Sequence, residues 1–215
     1  MSKNMSGLTY KTRRFLTMTK REKLLKIAKK KGMVRPREAE EAGISAVYLN
    51  KLHAEGKLDR PSRGIYVLPG TDFGENQALI EVCSRVRSGT VCLLSALRFH
   101  DLTTQAPYEV WLALPEKARQ PRIDYPPLRI VRFSGEAMTY GVKQSVVHGG
   151  TIRVYSAAKT VADCFKYRNK IGLDVAIEAL RDCWSQKQAT ADELWQAAKV
   201  CRMTNIMQPY METLT

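Results

Sequence analysis

The sequence predicts an α+β protein in two parts, and three observations carry that prediction. Up to residue 56 the apolar positions recur three and four apart, as in LLKIA and LNKL, which is a helical period. Between residues 90 and 155, short apolar runs are separated by Pro- and Gly-rich turns, a strand pattern. After Tyr155 the helical period returns in SAAKTVADCFKYRNKIG, LDVAIEALRDCWSQ and TADELWQAAKVCR. Strands followed by a run of helices point to segregated α+β packing rather than alternating parallel units.

Residues 1–18 are polar and basic without a sustained period and read as an N-terminal extension, in which Lys11, Arg13 and Arg14 are available to phosphates. Thr19 then caps a first helix, TKREKLLKIAKKKG, with Glu22 three residues on to close a capping box. Leu24, Leu25, Ile27 and Ala28 form its apolar stripe, Lys29 to Lys31 suit its C-terminal dipole, and Gly32 stops it. Pro36 sits at the first position of a short second helix that turns at Gly43.

A third helix follows, with Ser45 as its N-cap, Ile44 packed just ahead and Leu49 and Leu52 on its apolar edge. Its other face carries Val47, Asn50, Lys51 and Ala54, with Tyr48 alongside. Gly56 ends it, and two strands are expected around the turn Arg60-Pro61-Ser62-Arg63-Gly64. Three helices and a basic hairpin make a winged helix-turn-helix over residues 19–70, with Pro69-Gly70 as its boundary.

The rest of the chain, 71–215, reads as the larger α+β domain: a linker from Thr71 to Gly74, a helix from about Glu75 to Arg87, then strands in TVCLLSALRFHDL, YEVWLALP, LRIVRF, KQSVVH and TIRVYS, then the three helices. ARQPRIDYPPL holds three prolines and reads as an irregular turn. Ser156 caps the first late helix, and Lys159 and Asp163 stand four apart on it. With Lys166 and Arg168 they read as an exposed polar face. As a surface ion pair it contributes about a few tenths of a kcal/mol; alternatively it is a face for a partner.

The formal charge is +14, and its distribution decides more than its size. Residues 1–70 hold 17 Lys and Arg against 6 Asp and Glu, while residues 71–215 hold 18 against 15. A basic footprint confined to the helix-and-hairpin part is what a polyanion-binding module joined to a differently employed domain displays. Within it, Val47 can touch a thymine methyl, Asn50 can pair with adenine and Lys51 can reach guanine or phosphate. Arg35 and Arg37, at the start of the second helix, and Arg60, Ser62 and Arg63, at the wing tip, suit the backbone.

Five cysteines, at 83, 92, 164, 183 and 201, are far apart, so no metal-ligand spacing appears and no metal is expected. Free thiols and the lack of a long apolar run place the protein in the cytoplasm, and at the nucleoid when bound to DNA. Enzyme signatures are scarce. There is no Walker loop and no GxSxG elbow, Gly149-Gly150 has no downstream carboxylate pair, and His53, His100 and His148 are isolated. No catalytic residue and no cofactor are expected.

From about Lys20 to its end, the sequence resembles the AbiEi-type antitoxins of bacterial toxin–antitoxin and phage abortive-infection loci. GISAVYLNKLHAEGKLDRPSRGIYVLP, CLLSALRFHDLT and AAKTVADCFKYRNKIGLDVAIEAL carry the resemblance, the last two being the more diagnostic. It implies an N-terminal winged helix that represses the locus's own promoter at inverted or repeated double-stranded DNA elements. It also implies a C-terminal domain that counteracts a nucleotidyltransferase toxin, often without a stable complex, which makes Lys159, Asp163, Lys166 and Arg168 a candidate antitoxin face. Two alternatives remain: an interaction module that binds toxin or RNA directly, and an enzyme with a site assembled from distant carboxylates.

Overall fold

A computed structural model describes residues 18–71, 74–147 and 150–214, with the main division of the chain after Gly74. The expected basic arm, with Lys11, Arg13 and Arg14, lies outside the described residues, as do His148 and Gly149. The fold is mixed α+β.

In the first unit, α1 (Lys20–Lys31), α2 (Pro36–Glu41) and α3 (Val47–Ala54) precede the hairpin β1 (Asp59–Ser62) and β2 (Ile65–Val67). The capping box of α1 closes as its sequence predicts. The Glu22 N–H donates to Thr19 Oγ1 at 3.2 Å and the Thr19 N–H to Glu22 Oε2 at 2.8 Å. The Thr19 backbone N–H and hydroxyl, both donating to the carboxylate, hold the Glu22 carboxyl below its usual range. Gly43 turns α2 into α3 at φ 73°, a left-handed conformation that costs glycine least. Leu24, Ala28, Ala39, Ile44, Leu49, Leu52, Leu58 and Tyr66 fill the space between helices and hairpin. Val34 adds a rung to the hairpin, exchanging backbone hydrogen bonds with Tyr66 at 2.7 and 3.0 Å. Three helices with this appended ribbon are a winged helix.

The second unit is built on a five-stranded sheet. After a 3-10 turn, Gly74–Asn76, come α4 (Gln77–Arg85), β3 (Thr90–Val91) and α5 (Leu93–Phe99). Next are β4 (Val110–Pro115), β5 (Leu128–Phe133), α6 (Glu136–Thr139), β6 (Val142–Val147) and β7 (Gly150–Tyr155). The spatial order is β5-β4-β3-β7-β6, so β5 and β6 are its edges. β3 runs antiparallel to β4 and parallel to β7, and β4 runs parallel to β5 from Val110↔Leu128 to Pro115↔Phe133. The helices α7 (Ala157–Lys166), α8 (Arg168–Ile171), α9 (Leu173–Ser185), α10 (Ala191–Cys201) and α11 (Thr204–Met211) follow.

Two expectations need correction here. CLLSALRF is a helix, not a strand. β3 lasts only two residues before Cys92 becomes the N-cap of α5, and a short apolar run has no period that separates buried helix from buried strand. Ser95 anchors α5 to the sheet, its hydroxyl accepting from the Trp111 N–H at 2.9 Å. The sequence reading also missed α11, whose Pro209 masked the period carried by Met207 and Met211.

α7 is the centre of this unit. Every residue from Ala157 to Phe165 is buried, because α5, α9, α10 and α11 all pack on it. Ser156 caps it, accepting from the Lys159 N–H at 3.3 Å. Gly141 makes the packing possible. It lies at φ 69°, and a Cβ there would stand 2.8 Å from Lys159 Cβ.

His100 closes α5 and is largely enclosed, its Nε2 2.7 Å from the Tyr155 carbonyl. Burial holds its pKa below the usual 6.5. The unfolded chain therefore takes up the proton first as pH falls, and stability present above pH 6.5 is lost below it. His100→Gln should flatten the fall in melting temperature between pH 7 and pH 5, read by circular dichroism. An unchanged slope would place the acid sensitivity elsewhere.

Candidate nucleic-acid interface

α3 presents its apolar edge inward and a polar face outward, because Leu49 and Leu52 are fully buried while Val47 is 71% exposed. Asn50 and Lys51 are exposed and Tyr48 is half-buried. The helix begins two residues after Ser45, whose Oγ accepts from the Val47 N–H at 3.4 Å, a long bond that does part of the expected capping. The Lys51 ammonium lies 5.8 Å from the centre of the Tyr48 ring, which supports the stem of a side chain that otherwise points to solvent.

The hairpin sits beside this face and is fastened to it through Tyr66. Its ring is buried, its hydroxyl donates to Asn50 Oδ1 at 2.5 Å, and the Arg60 guanidinium lies 5.5 Å from its centre. One side chain thus orients both the residue predicted to read adenine and a cation predicted for the wing. The remaining lone pair and the amide donors of Asn50 keep their capacity for a base edge. Arg60 and Ser62 belong to strand β1 rather than to the turn, which contracts to Arg63 and Gly64; Arg63 is exposed. The placement of the Ser62 side chain lies outside what the structure describes.

The cations in and just before α2 are more engaged than expected. Arg37 is exposed but bound to Glu41, its Nε 3.0 Å from Oε1. Arg35 is half-buried with one donor on the Met33 sulfur at 3.5 Å, and its enclosed Nε has no partner among the described residues. Lys31 pairs with Glu38 at 2.9 Å.

Tyr66 is the residue that sequence reasoning overlooked. Its place in the alternating run Gly64-Ile65-Tyr66-Val67-Leu68 marked it only as part of a strand, yet a tyrosine hydroxyl requires a partner when buried, and that requirement was the available signal.

The other predicted face is corrected. Lys159 and Asp163 are not exposed: both side chains are fully buried, paired at 2.5 and 2.7 Å. Lys159 also lies over the rings of Tyr155 and Phe133, at 4.3 and 4.7 Å, and Asp163 Oδ1 accepts from the Cys201 thiol at 3.2 Å. The i,i+4 spacing was legible, but the neighbours that bury it come from elements distant in sequence. Of the four residues in that set, only Lys166 is exposed, and Arg168 is half-buried with its guanidinium on the Phe165 carbonyl at 2.9 Å.

Among the described residues no group of three or more His, Cys, Asp or Glu could hold a metal ion, and no helix is long and apolar enough to cross a membrane. No curated protein matches the chain. The crystal structure of the RV2827C protein from Mycobacterium tuberculosis is similar, with 13% sequence identity over 88% of this chain and 79% of that one and a TM-score of 0.54; at that identity the likeness concerns the fold. Residues 22–69 match a family described as "Transcriptional regulator, AbiEi antitoxin", the family that the sequence resembles. Over its winged helix the chain is therefore similar to the AbiEi antitoxin transcriptional regulators.

Proposed function

We propose that the chain is an antitoxin that represses its own operon, binding promoter DNA through the winged helix and counteracting a nucleotidyltransferase toxin through the second unit. The observation that carries the DNA-binding half is the exposed Val47–Asn50–Lys51 face held beside a basic wing by Tyr66. A helix of this kind enters the major groove with base-reading side chains, and the wing's Arg60 and Arg63 lie against phosphates. Ser45, Tyr48, Arg35 and Arg37 flank that surface; Glu41 engages only the Nε of Arg37, which leaves its Nη donors for a phosphate. The family match supports a regulator and antitoxin, and the resemblance of the second unit's segments to AbiEi antitoxins supports the toxin as functional partner. In that unit Lys166 and Arg168 remain as the candidate contact face, and Lys159 and Asp163 serve the core.

Footprinting of the full chain on the DNA upstream of its gene tests the reading. Protection of repeated elements is expected, and none at any concentration that spares random DNA would sink it. Arg63→Ala should weaken binding to specific and random DNA alike. If it removes one phosphate contact, it should also flatten log affinity against log salt by about one unit. An unaltered slope would remove Arg63 from the backbone contacts.

A further inference from the structure

Beside the edge strand β5, a cavity of about 610 Å³ opens that neither the winged helix nor the buried ion pair uses. Trp111 of β4, Arg129 and Arg132 of β5, and Tyr167 and Lys170 around α8 line it. Its volume is that of a small-ligand site. Three of those residues are cations and none is a carboxylate.

The two rings are fixed and capped by charge. The Arg129 guanidinium lies 5.4 Å from the centre of the Trp111 ring, with its Nε on Glu109 at 2.7 Å. Lys170 Nζ lies 5.7 Å from the centre of the Tyr167 ring, which packs against Phe133 at 5.8 Å. The Arg132 Nη1 donates to the carbonyls of Pro115 and Ala118 at 2.9 and 2.6 Å, which fixes the guanidinium. Its other donors have no partner among the described residues. The Tyr167 phenol, pushed up to about 12 chiefly by burial, stays protonated and can donate.

A simple anion would use these cations but not the rings, and an apolar ligand would leave the cations without partners. A flat ring joined to a phosphate satisfies both. Bases stack on guanidinium planes and aromatic faces, and phosphate oxygens take arginine donors two at a time. Further rings stand at the end of the sheet where β4 and β5 begin, since Tyr108 and Tyr125 are 81% and 74% exposed. Exposed rings beside cations are how single strands are held without sequence preference.

The geometry points to a nucleotide site at this edge, in which the base stacks on the Arg129–Trp111 layer and Arg132 and Lys170 hold the phosphate. The nucleotide is either free or part of a single strand. Titrating the full chain with fluorescently labelled ATP and with a labelled oligoadenylate separates those sources: saturation by ATP indicates a free nucleotide, and saturation by the oligomer alone indicates a strand. Adenosine and pyrophosphate should each bind more weakly than ATP. Arg129→Ala and Lys170→Ala, both at exposed positions, should each weaken binding roughly tenfold, the effect of losing one charge-assisted contact, with melting and promoter affinity unchanged. Failure of both probes to saturate up to millimolar concentration overturns the site, as does equal affinity in wild type and both variants. If the variants instead weaken promoter binding alone, the patch belongs to the duplex contact and the nucleotide site is overturned, while the regulator reading stands.

Discussion

Lys159→Ala should destabilise the chain by about 3–5 kcal/mol, because it leaves the fully buried Asp163 carboxylate without its charge partner. For a chain of this size the loss should appear as a fall of roughly 10 °C in melting temperature. Burial already raises the Asp163 pKa against the opposing pull of Lys159, so removing the lysine drives the carboxyl further toward its neutral form. A carboxyl whose folded pKa is raised binds more protons in the native state, and the stability it contributes at low pH is lost as pH rises through the folded pKa. The variant's deficit should therefore shrink on acidification below neutrality. Lys159→Met combined with Asp163→Leu should be close to neutral, since it removes both charges and keeps the volume. A single variant that melts within a degree or two of wild type would refute the buried pair. Loss of rescue from a toxin in the single variant then reports unfolding, and only Lys166 and Arg168 test contact.

Asn50→Ala should cost about 1–3 kcal/mol at the operator and little on random DNA, since a base-edge contact carries sequence information and a phosphate contact does not. Affinity measured at one salt concentration on both DNAs gives the answer. The hydroxyl of Tyr66 adds a discriminating control. Tyr66→Phe leaves the Asn50 amide intact but unheld, so it should reduce operator affinity by less than Asn50→Ala does. Equal losses on operator and random DNA for Asn50→Ala would mean that α3 does not read bases.

The winged helix was legible because its signals are local. Thr19 with Glu22, Pro36, Gly43 and the Leu49–Leu52 edge each act within a few residues of themselves. The α+β character of the second unit and four of its strands were legible for the same reason. Apart from α11, hidden by its own Pro209, what failed depended on distance along the chain. CLLSALRF is a helix fixed to the sheet by the bond between Ser95 and Trp111, sixteen residues apart, and the Lys159–Asp163 pair is enclosed by Phe133, Tyr155 and Cys201. Periodicity places such residues on a face but is silent about what will cover it. The basic edge of β5 was invisible for a related reason, since Trp111 and Arg129 become neighbours only through the register of two parallel strands.

The fastening of wing to helix by Tyr66 has a consequence for exchanging specificity between relatives. If α3 were transplanted alone, its Asn50 would arrive without the hydroxyl that sets its rotamer, and Arg60 would keep a ring positioned for a different helix. The smallest portable cassette is thus the continuous stretch from Ile44 to Val67, which carries the helix, the hairpin and the tyrosine between them. Chimeras cut inside that stretch should lose selectivity while remaining folded, and those cut at its ends should inherit the donor's operator.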